Sequence, residues 1–251
     1  MSFSDFHVHT NLCDGKNSPE EMVLSAIEKG VKTLGLVTHS YTPFKLYGNL
    51  SEENAEKFIK EVTLLKEKYK DKIEILLGVE EDYHTNTDLS KFDYFLGSSH
   101  YFYEKGKYYA IDDTKEELKL AINEGFDGDP YLACEKYFEQ VVGVAKRTNC
   151  FMVAHFDLVT KFNKENPLFD ENNERYKKAW KKAVLEIIKL GKPFEVNTGG
   201  ISRGYKNTPY PSKEIVDFIK ANGGKLILSS DAHSISGIGF EFSKWQKEYD
   251  I

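Results

Sequence analysis

A chain of 251 residues and 28.8 kDa is long enough for one large barrel or two modest domains, with an ordinary soluble composition. A net charge of −6 and a pI near 5.7 argue against a nucleic-acid surface built on general basicity, although bound cations can reverse the sign locally. The stretch Met1-Ser2-Phe3-Ser4-Asp5 has no basic, apolar leader, and no apolar run approaches the roughly 20 residues that span a bilayer, so a cytoplasmic protein with no membrane partner is expected.

Cys13, Cys134 and Cys150 are odd in number and form no C-x-x-C pair, which suits reduced thiols. In chain order, seven short apolar runs read as strands: Phe3–His9, Thr33–His39, Ile73–Glu80, Tyr94–His100, Phe151–His155, Phe194–Asn197 and Lys225–Asp231. Their near-continuous apolar character is that of parallel strands covered on both faces, and seven of them imply a sheet closed into a barrel or close to one. Helices fall between them. Ser18-Pro19-Glu20-Glu21 is a capping box with proline at the first helical position, and Gly30 follows the last turn. Ser51 opens a second helix to about Tyr69, and Pro130 a third to about Thr148. Residues near 171–190 and 212–222 form the last two, stopped by Gly191 and Gly223-Gly224.

The tyrosine-rich segment 101–128, with a short helical piece at Lys115–Asn123, reads as an excursion over the barrel mouth. No linker or repeat divides the chain, which is read as one domain over 1–251.

The histidines define the site. His7 and His9 alternate along one strand and so face the same way, roughly 6–7 Å apart. Six of the seven histidines, His7, His9, His39, His100, His155 and His233, fall at or just past a predicted strand end, where α/β barrels carry their active sites; His84 does not. Glu80 and Asp231 end strands as well, and Asp14 lies just beyond the first. Mixed imidazole and carboxylate donors in this number imply two to three divalent transition-metal ions, Zn²⁺, Mn²⁺ or Fe²⁺ rather than Ca²⁺. Alternation alone does not decide which of Glu80, Glu81 and Asp82 faces inward.

His7-x-His9, Asp14-Gly15, Thr38-His39, Gly78-x-Glu80, Ser99-His100, His155-x-Asp157 and Ser230-Asp231-Ala232-His233 resemble, in order, the motifs of the polymerase and histidinol phosphatase (PHP) superfamily. The resemblance is closest to its histidinol-phosphate phosphatase branch, through Gly78–Tyr83, His155–Leu158 and Glu195–Gly200. It implies a distorted seven-stranded (β/α)7 barrel, TIM-barrel-like, and hydrolysis of L-histidinol phosphate to L-histidinol and phosphate in histidine biosynthesis. It further implies that His7, His9, Glu80 and Asp231 hold one ion, that Glu80 bridges to a second held by His100 and His155, and that Asp14, His39 and His233 hold a third. Attack by a metal-bridging hydroxide would then need no protein nucleophile.

A small phosphorylated substrate also needs fixed donors. Of the three arginines, Arg203 lies just past the sixth strand, whereas Arg147 and Arg175 fall on helices and read as solvated. Lys161 is the second candidate, where the family pattern carries a basic residue. The acidic Glu81, Asp82 and Asp157 near the mouth are candidates either to favour an amine-bearing substrate or, equally, to serve structural roles. The alternatives are a phosphoesterase of the same superfamily acting on another small ester or a nucleotide, and a catalytically silent metal-binding accessory module. A metal-dependent amidohydrolase shares the H-x-H start but not the Glu80 and Asp231-Ala232-His233 pattern.

Overall fold

The computed structural model describes residues 3–42, 44 and 51–251, so Met1 and Ser2 of the N-terminal stretch lie outside the described residues. In chain order the elements are β1 (Phe3–Val8), α1 (Pro19–Glu28), β2 (Val31–His39), α2 (Glu52–Tyr69), β3 (Glu74–Asp82), β4 (Tyr94–Ser98), β5 (Tyr101–Glu104) and β6 (Lys107–Ala110). There follow α3 (Lys115–Leu120), α4 (Pro130–Thr148), β7 (Met152–Val153), α5 (Glu174–Lys189), β8 (Phe194–Asn197), α6 (Gly199–Ser202), α7 (Lys213–Ala221), β9 (Leu226–Ser229) and α8 (Phe242–Tyr249).

Seven of the strands form one parallel sheet in the order β1-β2-β3-β4-β7-β8-β9. The chain after β9 returns beside β1: the His9 amide donates to the Ala232 carbonyl at 2.8 Å and the Ala232 amide to that of His7 at 3.2 Å. The sheet is thus a nearly closed α/β barrel, as the seven apolar runs predict, and its seven parallel strands point their C-terminal ends at the same rim.

The helices begin where local chemistry satisfies their free amides. Ser18 accepts from the Glu21 amide while Glu21 returns a bond to the Ser18 amide, and Asp129 caps α4 ahead of Pro130. Asn149 ends α4 in the left-handed region at φ 56°. α1 and α2 cover β1–β3 through Met22, Val23, Phe58, Val62 and Leu65, and α4 and α5 cover the other side through Val141, Ala145, Trp180 and Val184. Each such side chain contributes about 1.5–3 kcal/mol by leaving water.

The Tyr94 ring packs inside the barrel against β2 and β3. Tyr94 lies where a Cβ on Gly35 or Gly78 would stand 2.0 or 2.6 Å from it, and its hydroxyl donates to the Phe6 carbonyl at 2.7 Å. Only residues without a side chain on β2 and β3 leave that space.

The structure differs from the sequence-based expectation in two places. The segment after β4 begins with an antiparallel hairpin, β5–β6, before its helix. The predicted helices at 171–190 and 212–222 appear as α5 and α7, but they are not the last two: α6 lies between them, and α8 follows, packing Trp245 and Tyr249 against Val196 and Val216.

Candidate metal centre

The side chains that gather at the rim are put there by strand ends in register. His39, the last residue of β2, pairs directly with Glu80 of β3, and His7 and His9 face inward from the end of β1. His100, His155 and Asp231 each follow a strand by two residues. His155 and Asp231 have φ of 21° and 50°, a region that non-glycine residues adopt at a cost of order 1–3 kcal/mol and that concentrates at functional sites.

Glu80 is the hub. Its Oε2 lies 3.2 Å from His39 Nδ1, 3.3 Å from His7 Nε2 and 3.4 Å from His9 Nε2. Its Oε1 lies 2.7 Å from His155 Nε2 and 3.2 Å from His100 Nε2. Asp14 Oδ2 lies 3.0 Å from His233 Nε2 and 3.3 Å from His39 Nε2. Asp231 Oδ1 is 3.4 Å from His9 Nε2 and 3.6 Å from His7 Nε2. All nine side chains singled out in the sequence therefore meet at one rim.

Among the described residues, three groupings have donor atoms within 4.8 Å of one another: His9, Asp14, His39 and His233; His7, His9 and Glu80; and His39, Glu80 and His100. Glu80, His9 and His39 each belong to two of them. Only His9 joins the Asp14 grouping in addition to the expected His39 and His233.

This donor set fits divalent metal binding. His7 Nε2 and His9 Nε2 stand 3.0 Å apart, and the buried Asp14 Oδ1 and His155 Nδ1 have no hydrogen-bond partner. Burial opposes charge on His7, yet Glu195, Asp231 and Glu80 push its pKa up to about 10. Burial likewise opposes ionisation of Glu80, and the imidazoles of His100, His7 and His39 hold its carboxyl well below the ordinary range. The carboxylates thus create a strongly negative potential at a point lined with nitrogen and oxygen donors, the chemistry of borderline divalent cations.

Arg203 and Lys161 line the same cavity of about 100 Å³ as Asp14, His39, Glu80, His100, His155, Asp231 and His233. Arg203 Nη2 donates to Asp231 Oδ2 at 2.8 Å, and Nη1 lies 2.9 and 3.0 Å from the two ring nitrogens of His233. Gly199 permits that approach, since a Cβ there would stand 2.8 Å from Asp231 Oδ2 and 3.0 Å from Arg203 Nη2. Lys161 donates to Asp112, a residue of the excursion.

The model of the PHP domain family matches residues 5–199. The chain belongs to the PHP domain family. The matched span holds His7 to Glu195 and stops before Arg203, Asp231 and His233, which the fold brings to the PHP centre from further along the chain. Among relatives, the chain is 26% identical over 246 residues to a Schizosaccharomyces pombe protein named "Probable histidinol-phosphatase", covering 89% of this chain and 77% of that one. It is 24% identical to the histidinol-phosphatase of Bacillus subtilis, covering 96% and 97%. The HisK structure from Listeria monocytogenes superposes with a TM-score of 0.82 at 22% identity, covering 96% and 99% of the two chains. That of histidinol phosphate phosphatase from Lactococcus lactis, complexed with zinc, L-histidinol and phosphate, gives 0.73 at 18% identity, covering 98% and 92%. At these identities the structural likenesses establish the PHP barrel.

Several polar residues have other places than the sequence reading gave them. Glu81 points away from the PHP centre and pairs at 3.2 Å with Arg147, which is solvent-exposed as expected but also tied to this carboxylate. Arg175 is half exposed and also paired, with Glu135 and Asp129. Asp157 is buried outside the cavity, accepts from the Ser212 amide, and is pushed up to about 6 by burial. Asp82 lines the cavity, but its oxygens accept from the His100 amide at 2.6 Å and the His84 amide at 2.8 Å. Because β3 runs on to Asp82, His84 also lies just past a strand end; its ring faces Gln140 at 2.7 Å, away from the cluster.

Glu195 and Asp112 had no role in the sequence reading. Glu195 Oε1 holds His7 Nδ1 at 2.7 Å and its Oε2 accepts the His155 amide at 2.7 Å. A carboxylate between Phe194 and Val196 in an apolar strand was its visible signal. Burial would raise the Asp112 carboxyl, but Lys161, His100 and His155 hold it down at about 2.

Proposed function

We propose that this chain is a metal-dependent phosphomonoesterase that hydrolyses L-histidinol phosphate to L-histidinol and phosphate. The observation that carries the reading is the convergence of nine imidazole and carboxylate side chains at one rim, seven of them lining one cavity with Arg203 and Lys161. The activity in the names of relatives spanning nearly the whole chain supplies the substrate.

In this reading His7, His9, Glu80 and Asp231 share an ion, Glu80 with His100 and His155 a second, and Asp14, His39 and His233 a third, two to three zinc, manganese or iron ions in all. Bound there, divalent cations give Lewis-acid charge to the phosphoryl oxygens and lower the pKa of water. Arg203, beside Asp231 and His233, and Lys161 then grip the phosphate and orient it, and Arg203 offers the planar N–H donors of its guanidinium to its oxygens. Glu195 fixes the His7 ring so that Nε2 faces the centre.

No helix among the described residues is long and apolar enough to cross a membrane. The three buried free cysteines suit a reducing, cytoplasmic setting.

The test is turnover of purified, metal-analysed protein on L-histidinol phosphate beside a panel of sugar phosphates, nucleotides and p-nitrophenyl phosphate. A kcat/KM for L-histidinol phosphate at least tenfold above every other ester is expected. Preference for another ester would move the substrate assignment, and no turnover by metal-replete protein would leave a metal-binding accessory module.

A further inference from the structure

The excursion between β4 and α4 has a path that gives it a task. It starts at the His100 strand end, turns at Lys105-Gly106, and returns so that the Ile111 amide donates to the His100 carbonyl at 2.8 Å. Asp112 is the next residue, delivered to the wall of the cavity that Glu80, His100, His155 and Lys161 also line. There its carbonyl oxygen accepts from Lys161 Nζ at 2.5 Å, and its Oδ2 lies 3.2 Å from the same ammonium.

Lys161 is only 8% exposed. A charged group that deep needs a counter-charge, and a four-carbon stem needs something to hold its end in one place. Asp112 supplies both, with the Tyr205 ring 4.7 Å and the Phe162 ring 5.6 Å from the ammonium. An ammonium carries three N–H donors. Two are directed at Asp112 oxygens, and a phosphate oxygen entering the cavity would take the third.

We propose that Asp112 is a positioning residue that anchors the Lys161 ammonium at the cavity wall, preformed for the phosphate group of the substrate. The role rests on the proposed reading of Lys161 as a phosphate contact. Anchoring before binding removes the cost of ordering a long side chain at the moment the substrate arrives. It also explains why the excursion is tied to the His100 strand end: the phosphate contact and the metal donors are held by one stretch of backbone.

The experiment compares wild-type, Asp112→Asn, Lys161→Met and the double variant as metal-replete enzyme. It measures kcat and KM on L-histidinol phosphate and p-nitrophenyl phosphate, and the inhibition constant for inorganic phosphate. Each single change is expected to raise KM and the phosphate constant about 10-fold, the low end for a hydrogen bond to a charged group, with a smaller change in kcat. The double variant should be no worse than Lys161→Met, because Asp112 has nothing left to position. Effects that multiply in the double variant, or a phosphate constant unchanged in either single variant, overturn the proposal. Should Asp112→Asn melt early, Asp112→Glu decides: a phosphate constant between those of wild-type and Lys161→Met supports anchoring, and one outside that interval overturns it. The phosphate constant does not depend on which ester is natural, so a failed substrate assignment and a failed positioning role are read apart.

Discussion

Glu195 Oε1 sits 2.7 Å from His7 Nδ1. That bond turns His7 Nε2 toward Glu80, and the other Glu195 oxygen accepts the backbone amide of His155. One buried carboxylate therefore orients two of the proposed metal-binding residues without touching the ions. Glu195→Gln keeps the shape but weakens the acceptor and leaves an amide N–H beside donors. Metal affinity or kcat/KM should fall about 10- to 100-fold, the usual cost of losing such a partner. Metal titration followed by activity measures both, and values within twofold of wild type would remove Glu195 from the centre.

Glu80 and Glu81 are adjacent and have opposite tasks. Glu80 faces five imidazoles, and Glu81 faces Arg147 and the Thr87 amide. Glu80→Gln should lose bound metal and activity together. Glu81→Gln should keep both and lower stability by about 1–2 kcal/mol, because Arg147 is part exposed and solvent screens the pair. Elemental analysis and denaturant melts separate the two, and metal loss in Glu81→Gln would reverse the assignment.

Much of this site was readable because barrel geometry converts strand ends into a single ring. Once His39, Glu80, His100, His155 and Asp231 lay at the ends of apolar runs, parallel pairing had to bring them to one rim. Strand alternation did not separate Glu80 from Glu81; the resemblance of Gly78-x-Glu80 to the PHP motifs did, and the β2–β3 register sets Glu80 beside His39. The hairpin was missed despite its signal: Tyr101–Glu104 and Lys107–Ala110 flank Lys105-Gly106, both at positive φ, the pattern of a two-residue hairpin turn. In α8, Phe242, Trp245 and Tyr249 recur at helical spacing, but the segment is too short for periodicity alone to establish. Asp112 and Lys161 are 49 residues apart and share no element, so their pairing is purely tertiary.

Chelation should abolish activity and lower the melting temperature. The buried carboxylates and imidazoles repel or desolvate one another without cations, and ions at 100–1,000 times their dissociation constant stabilise by about 3–4 kcal/mol. Restoring Mn²⁺, Zn²⁺ or Fe²⁺ should recover both properties, with two to three ions per chain by elemental analysis. Fewer than one ion, with no recovery of activity by any of the three, would contradict the proposed centre.

Gly199→Ala tests the close packing around Asp231. The added methyl would meet Asp231 Oδ2 at 2.8 Å and Arg203 Nη2 at 3.0 Å, so one of the two must move. Activity should fall at least tenfold, while the fold, whose nearby core residues Val196 and Val216 are untouched, should melt within a few degrees of wild type. Unimpaired kinetics would show that the Asp231 and Arg203 positions matter less than their contact suggests.

Arg203 carries the phosphatase reading beyond the metal donors. It reaches the rim from the turn after α6, where Gly199 makes room and Gly204 at φ 82° redirects the chain, and it already pairs with Asp231. If it grips phosphate at the reacting centre, Arg203→Ala should cost about 2–4 kcal/mol of transition-state stabilisation, roughly 30- to 1000-fold in kcat/KM. Arg203→Lys should recover only part, because a point charge does not reproduce the planar fork. The pairing with Asp231 means that metal content must be followed in the same samples: a loss of ions would assign the damage to the centre, and a loss of rate at full occupancy to the phosphate. Near-normal kinetics in Arg203→Ala with metal content unchanged would leave Lys161, anchored by Asp112, as the cation that meets the phosphate.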